Sequence, residues 1–275
     1  MKTLYISDLD GTLLDSTPKT SEYTNAIINE LLENEMVISF ATARSLVTTK
    51  KVTKGLNFKY PLVVHNGTFI VDKDGEIIHK SIFNKEDSDF ILNSALDKNL
   101  CPIVFSLIDE KQKFSYILEN ANKATNDFLD ARIDDPRNRR VYSSDSLFDG
   151  EIYYFTLIGD EEKLEPLYNK FKNKYHCFYQ EDMYSGEYWL EILPHNATKA
   201  NAVKQLAKIL GCKKIIAFGD GINDIDMFNA ADECYAVENA VDSLKEIATE
   251  IIESNSKDGV AKQLEIMYTY RAKNK

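Results

Sequence analysis

Short apolar segments alternate with amphipathic segments toward both ends of the 275-residue chain. TLYIS (3–7) and MVISFA (36–41) are apolar and contain β-branched residues, and SEYTNAIINELLENE between them carries apolar residues at helical spacing. The alternation returns in TKANAVKQLAKIL, which begins at Thr198, and in the apolar KKIIAFGD after it. Strands that are apolar on both faces are typical of a parallel sheet covered by helices on both sides. Both ends therefore predict an α/β fold with a doubly wound, mainly parallel sheet.

The middle of the chain has a different pattern, with frequent tyrosine and phenylalanine and with strands in which apolar and polar residues alternate. EIYYFTLIG and GEYWLEILP predict strands of an antiparallel sheet, and EDSDFILNSALDKNL and EEKLEPLYNKFKNKY predict helices. We therefore expect an inserted α+β domain at residues 83–190, with residues 1–82 and 191–275 forming the α/β core.

Composition excludes several classes of protein. Hydrophobic residues make up 44% of the chain and charged residues 28%, as in an ordinary globular protein. A net charge of -11 argues against nucleic acid or an anionic membrane as the main partner. The four cysteines lie far apart without a CxxC pair, and no apolar segment approaches the roughly 20 residues of a membrane span. We expect a cytoplasmic protein that is a monomer or a weak dimer.

Polar clusters follow the predicted strands of the core or begin a helix. In an open parallel sheet, ligands bind beyond the carboxyl ends of the strands, so we expect these clusters to meet at one edge. They are Asp8 with Asp10, Thr42 with Ala43 and Arg44, Lys199 alone, and Asp220 with Asn223 and Asp224. Clustered carboxylates without histidine or cysteine suit Mg²⁺, and a lysine with backbone amides suits a phosphate group. A carboxylate beside a metal-held phosphate can attack phosphorus.

Simpler explanations exist for each cluster taken alone. Asp8 and Asp10 could form a turn, with Gly11 at positive φ. Thr42 could only cap a helix, Lys199 could be a solvated helix residue, and Arg44 is as consistent with a structural ion pair as with phosphate binding. An EF-hand loop is excluded because its sixth position would be Leu13, and no glycine is followed by lysine as in a Walker A loop.

Two further sets of residues favour structural interpretations. Four scattered histidines, including His65 and His195, have no metal-ligand spacing. The basic segment that contains Arg137, Arg139 and Arg140 favours a solvated loop over a site for a distal anionic group.

Four motifs together resemble one enzyme family. DLDGTLL (8–14), ATARS (41–45), TK (198–199) and GDGINDIDM (219–227) occur in this order, with the α+β insert between the second and the third. In this they resemble the haloacid dehalogenase-like phosphohydrolases, most closely the Cof-type subfamily, whose large α/β cap domain occupies the same place in the chain.

The resemblance implies roles for the acidic residues. Asp8 would be the nucleophile and a Mg²⁺ ligand. Asp10 would be the general acid and base, with its backbone carbonyl on the ion. Asp220 would complete the metal site, and Asp224 would support that site without binding the ion directly.

The resemblance also implies a phosphate site. Its residues would be Leu9 and Ala43 through their amides, Thr42, Lys199 and Asn223. Two positions depart from the family pattern. The second motif usually reads Thr-Gly-Arg, and Ala43 takes the place of its glycine. A glycine usually follows the lysine of the third motif, and here that residue is Ala200. An added methyl group leaves the amides intact, so we expect an altered fit and not a loss of activity.

The implied function is a Mg²⁺-dependent phosphatase that acts on small phosphomonoesters through an aspartyl phosphate. Sugar phosphates are the leading substrate class and phosphorylated cofactors come second, with the cap selecting the leaving group. Two alternatives stay open at this point. One is a phosphotransferase or phosphomutase of the same fold, and the other is a protein that binds a phosphorylated ligand without catalysis.

Overall fold

The computed structural model describes residues 1–182 and 186–273 of the chain. Its strands are β1 (Thr3–Ser7), β2 (Val37–Phe40), β3 (Leu62–Val64), β4 (Phe69–Val71), β5 (Ile77–Lys80), β6 (Ile103–Ile108), β7 (Lys111–Tyr116), β8 (Asn138–Arg140), β9 (Glu151–Gly159), β10 (His176–Glu181), β11 (Tyr188–Leu193), β12 (Lys214–Gly219), β13 (Glu233–Val237) and β14 (Glu250–Ile252). Its α-helices are α1 (Glu22–Glu33), α2 (Leu46–Val52), α3 (Lys85–Leu96), α4 (Lys123–Asp130), α5 (Glu161–Phe171), α6 (Lys199–Leu210), α7 (Ile225–Ala230), α8 (Asp242–Lys245) and α9 (Gly259–Lys273).

The two ends of the chain form the predicted parallel sheet, in the strand order β14-β13-β12-β1-β2. β1 is buried along its whole length and pairs in parallel with β12 on one side and β2 on the other. The chain therefore leaves β1 toward one edge of the sheet, and the later strands extend toward the other edge. Such a reversal of strand order opens a crevice beyond the carboxyl ends of the two central strands. The α/β fold predicted from the sequence is confirmed.

A smaller antiparallel sheet, β3-β4-β5, extends the same unit. A hairpin around Gly75 is formed by β4 and β5, and it contains a register shift at Ile70 and Val71. β3 joins this hairpin, while a single parallel bridge between Ala41 and Val63 links it to the end of β2. β3 therefore supports the loop that follows β2.

The middle of the chain forms a second compact unit around a six-stranded sheet in the order β10-β11-β9-β6-β7-β8. Its strands are antiparallel except for the parallel pair of β7 and β8. Phe155 and Leu157 of β9 belong to a buried cluster that also holds Leu164 and Phe171 of α5. Phe155 and Leu157 lie two positions apart, so they share the face of the sheet that packs against α5.

The compact units span residues 1–80 with 198–275, and residues 81–197. The insert predicted from the sequence was shorter, at 83–190. β11 continues beyond residue 190, because Ile192 still pairs with Phe155 of β9.

The prediction of a solvated loop around Arg139 is wrong. Residues 138–140 form the edge strand β8, Arg137 pairs with Asp135 at 2.6 Å, and Arg139 pairs with Asp149 at 2.5 Å. The charges of two of the three arginines are therefore paired within the unit.

Among residues 1–182 and 186–273, no helix combines the length and the apolar character that crossing a membrane requires.

Candidate active site

The carboxyl ends of β1, β2 and β12 lie side by side, and they bring two acidic motifs together. Asp8 directly follows β1, and its backbone N–H donates to the carbonyl of Phe218 in β12 at 3.0 Å. Asp220 follows β12 at the same edge. On the other side of β1, the N–H of Ala41 donates to the carbonyl of Ser7 at 2.9 Å. The sheet register therefore places the first, second and fourth motifs next to one another.

Lys199 lies at the centre of a buried charge cluster. Its Nζ donates to Oδ1 of Asp8 at 2.6 Å and to Oδ1 of Asp224 at 2.7 Å. Lys199 is the first residue of α6, which begins there because the Thr198 hydroxyl accepts the N–H of Asn201. Burial alone would lower the pKa of Lys199, but the two carboxylates outweigh burial and raise it. The alternative of a solvated helix residue is excluded, because the side chain is only 2% exposed.

Asp8, Asp220 and Asp224 form a compact acidic group, in which one carboxylate oxygen of each residue lies within 4.8 Å of one oxygen of each of the others. Burial, aided by the charges of Asp224 and Asp220, raises the pKa of Asp8 well above its usual range in spite of Lys199. Burial and the charge of Asp224 also raise the pKa of Asp220 to about 6. Three carboxylates around one ammonium leave an excess of negative charge, and a divalent cation with oxygen preference would offset it. The donor set fits Mg²⁺.

The carboxylates of this group differ in how many of their oxygens accept hydrogen bonds. Asp224 is fully buried and uses both oxygens, one toward Lys199 and the other as acceptor of the N–H groups of Asp220 and Gly221, each at 3.1 Å. Oδ2 of Asp8 has no hydrogen-bond partner among residues 1–182 and 186–273. Asp8 and Asp220 are therefore better placed than Asp224 to bind a cation directly, which supports the role inferred for Asp224.

The loop after β1 holds Asp220 in place. The Thr12 hydroxyl donates to Oδ1 of Asp220 at 2.6 Å. Gly11 has φ +75°, and a Cβ at this position would lie 2.3 Å from Oδ2 of Asp220. A glycine is therefore required at position 11 for two reasons. The backbone is left-handed there, and the Asp220 carboxylate lies where a side chain would be. Sequence reasoning missed Thr12, and its only signal was a hydroxyl residue directly after the glycine.

The second motif is held by the loop that follows β3. The N–H of Asn66 donates to the carbonyl of Thr42, and the N–H of His65 donates to the carbonyl of Arg44, both at 3.0 Å. Thr42 is buried, and its hydroxyl accepts the N–H of Arg44 at 3.1 Å. Gly67 in the same loop passes so close to α6 that a Cβ would lie 2.2 Å from the carbonyl of Thr198. This loop therefore braces the second and third motifs together.

Asp10 does not join the acidic group through its side chain. Its carboxylate accepts two hydrogen bonds from Arg44, from Nε to Oδ2 at 2.7 Å and from Nη2 to Oδ1 at 2.5 Å. The hydrogen bonds to Asp10 raise the pKa of Arg44, and the charge of Asp8 adds to this effect. The question that the sequence left open about Arg44 has a structural answer, since in this geometry Arg44 pairs with Asp10.

Three further residues implied by the resemblance occupy different environments. The Leu9 side chain is fully buried, and its carbonyl accepts the N–H groups of the next turn, including that of Leu14 at 2.8 Å. Asn223 and Ala43 are exposed. The extra methyl group of Ala43 therefore displaces no buried side chain.

Comparisons with known proteins agree over almost the whole chain. A family model described as haloacid dehalogenase-like hydrolase matches residues 5–264. A protein of Buchnera aphidicola subsp. Acyrthosiphon pisum is 31% identical over 269 residues, which is 94% of this chain and 93% of that protein. The 5-amino-6-(5-phospho-D-ribitylamino)uracil phosphatase YwtE of Bacillus subtilis is 29% identical, over 92% of this chain and 94% of its own. Among solved structures, TM0651 from Thermotoga maritima matches with a TM-score of 0.78 at 27% identity, over 96% of this chain and 97% of that one.

Proposed function

Because the chain belongs to the haloacid dehalogenase-like hydrolases and is a phosphatase of that family, we propose that it hydrolyses a small phosphomonoester through an aspartyl phosphate formed on Asp8. The observation that carries this proposal is the contact of Lys199 with Asp8 at 2.6 Å, at the edge of the sheet where Asp220 also lies. A buried carboxylate held by a single ammonium, next to other carboxylates, is a poor structural device, because it costs desolvation energy. It is a suitable place to hold a nucleophile.

Proteins of this family generally use Mg²⁺, and we propose that Asp8 and Asp220 hold it through their carboxylates and Asp10 through its backbone carbonyl. When bound, the ion supplies positive charge that offsets the repulsion between the carboxylates and a phosphate dianion. Thr12 orients the Asp220 carboxylate, and Asp224 fixes Lys199 and the backbone amides of the same loop.

The chain's own residues account for both half-reactions. A carboxylate oxygen of Asp8 attacks phosphorus, the ester P–O bond breaks, and Asp10 gives a proton to the departing alkoxide. Water then attacks the phosphorus of the aspartyl phosphate and gives its proton to Asp10. The P–O bond to Asp8 breaks, so that inorganic phosphate leaves and the carboxylate is restored.

Phosphate binding is assigned to groups around this centre. Lys199 would contact a phosphate oxygen from its position beside Asp8, and the Thr42 hydroxyl and the amides of Leu9 and Ala43 would donate hydrogen bonds. The exposed position of Asn223 is consistent with a contact that forms only with substrate present.

For the substrate, we propose a phosphate ester of a primary alcohol on a sugar or sugar alcohol. The Bacillus subtilis relative YwtE is, by its name, a phosphatase of a phospho-D-ribitylamino compound. Such a leaving group is a poor one without a proton, which gives Asp10 a necessary role. Four free cysteines support the expectation of a reducing, cytoplasmic setting.

Release of inorganic phosphate tests the function directly. With Mg²⁺, the protein should hydrolyse both an aryl phosphate and a sugar phosphate, and chelator should abolish both activities. Asp8→Asn should abolish turnover of both esters, because an amide attacks phosphorus poorly. Asp226→Asn is a matched control, since Asp226 is an exposed residue of α7, and it should behave as wild type.

Asp10→Asn separates the acid from the nucleophile. It should slow hydrolysis of the sugar phosphate by about 10²- to 10⁴-fold and affect the first step with the aryl ester far less. Phosphoryl transfer to a second alcohol without net phosphate release would identify a phosphotransferase instead. Tight binding of a phosphorylated ligand without turnover in Mg²⁺ would leave only a binding protein.

A further inference from the structure

Arg44 holds the Asp10 carboxylate by two hydrogen bonds, whereas an ordinary surface ion pair needs only one contact. Both hydrogen bonds form at once, at 2.7 and 2.5 Å, which is the fork geometry of a guanidinium on a carboxylate. The Arg44 side chain is 26% exposed and that of Asp10 49% exposed, so the pair is reached by solvent and does not lie in the core. The fork fixes the orientation of the Asp10 carboxylate, because both of its oxygens are held at once.

The backbone of Arg44 is fixed on both sides. Its N–H donates to the Thr42 hydroxyl at 3.1 Å, and its carbonyl accepts the N–H of His65 at 3.0 Å. The guanidinium is thus presented from an anchored loop, whereas Asp10 follows β1 on a different element. The two residues are 34 positions apart, so the sheet brings them together and not the local chain.

The pair also lies within electrostatic reach of the proposed nucleophile. The charge of Asp8 contributes to the raised pKa of Arg44, and the charge of Asp10 contributes to the raised pKa of Asp220. Each oxygen of a carboxylate has two lone pairs, and Arg44 occupies one on each oxygen of Asp10. A lone pair on each oxygen therefore remains to accept a proton while the fork stays closed.

We infer that Arg44 is a positioning residue that holds the Asp10 carboxylate for the second half-reaction, in which it takes a proton from the attacking water. This inference rests on the proposed function. In that step the water oxygen bonds to phosphorus, the P–O bond to Asp8 breaks, and the water proton moves to the free lone pair of Asp10. No bond of Arg44 changes.

Pre-steady-state kinetics with an aryl phosphate separates the two half-reactions. This ester barely needs an acid, so the initial release of phenolate reports phosphoryl transfer to Asp8, and the later rate reports hydrolysis of the aspartyl phosphate. In Arg44→Ala, the steady rate should fall by about 10²-fold while the initial rate stays within about threefold, since misplacing a reacting group costs rates of that order. Acid-quenched protein should carry more phosphate on Asp8 than wild type does.

Two variants and an additive complete the test. Arg44→Lys keeps the charge but cannot grip both oxygens, so it should show the same imbalance between the two phases. Guanidinium ion should raise the steady rate of Arg44→Ala without changing the initial rate. Lys262→Ala removes an exposed ion pair with Glu253 in the same unit and should match wild type. Midpoints of urea denaturation close to that of wild type would show that each variant is folded.

The outcomes distinguish the inference from the function on which it rests. A loss of equal size in both phases of Arg44→Ala, or full recovery in Arg44→Lys, would overturn the positioning role and indicate phosphate binding or simple charge. An inactive wild-type protein in Mg²⁺ would overturn the proposed function itself, and this inference with it.

Discussion

Replacing Lys199 by methionine tests the buried charge cluster, because methionine keeps much of the side-chain length and removes the charge. The ammonium is the only cation in contact with Asp8 and Asp224 among residues 1–182 and 186–273. Its removal leaves two carboxylates with side-chain exposures of 6% and 0% facing each other without compensation. We expect a large loss of stability in the absence of a divalent cation.

The magnitude follows from the geometry. Removing one partner of a buried ion pair costs about 3–5 kcal/mol, because the remaining charge stays buried. Here Asp8 can limit the loss by taking up a proton, since its pKa is already raised. We therefore expect the free energy of unfolding to fall by about 3 kcal/mol at pH 8. A carboxyl whose pKa is higher in the folded protein than in the unfolded chain is penalised above the unfolded value, so the loss should shrink as the pH falls toward 4.

Urea denaturation in chelator at pH 5 and pH 8 measures both quantities. Lys262→Met is the control, because it removes an exposed pair that is worth at most about 1 kcal/mol. Added Mg²⁺ should stabilise Lys199→Met more than wild type, since the ion no longer competes with an ammonium.

A loss below about 1 kcal/mol in chelator at pH 8, or a loss equal at both pH values, would refute the idea that Lys199 neutralises the cluster. If Mg²⁺ stabilises Lys199→Met no more than it stabilises wild type, the idea that the ion and the Lys199 ammonium compete for the same carboxylates is refuted.

Three other substitutions probe the same physics. Thr12→Val removes the 2.6 Å hydrogen bond to Asp220 and should weaken Mg²⁺ affinity by about 10-fold, measured by Mg²⁺ titration of the rate. Gly11→Ala should destabilise the protein more than Gly211→Ala in urea denaturation, because both glycines have positive φ but only Gly11 faces a carboxylate. Burial raises the pKa of Glu191, so Glu191→Gln should stabilise the protein against urea at pH 8 and lose most of that advantage at pH 4.

Each of these has an outcome that would contradict it. Unchanged Mg²⁺ dependence in Thr12→Val would mean that Asp220 needs no orienting donor. Equal losses in the two glycine variants would leave backbone strain as the only effect. A Glu191→Gln variant that is destabilised at pH 8 would show that the ionised carboxylate is favoured where it stands.

Local pattern determined much of the fold of this protein. Continuous apolar segments located the strands TLYIS and EIYYFTLIG, which are buried along almost their whole length. Apolar residues at helical spacing located the helix that follows Ser21, because one face of a helix repeats every 3.6 residues. It failed for residues 138–140, where a short polar edge strand carries no apolar signal and its arginines are satisfied by ion pairs.

The candidate site divides in the same way. The order of four motifs was enough to indicate the enzyme family and the acidic and basic residues of its centre. Only the tertiary structure decided which of them touch. Lys199 and Asp8 are 191 positions apart, and Thr12 and Asp220 are 208 apart. The fork between Arg44 and Asp10, and the use of both Asp224 oxygens, also depend on which strands are neighbours. A sequence pattern records which residues are buried, whereas contacts between distant segments are set by sheet order and register, and these place every charge at the site.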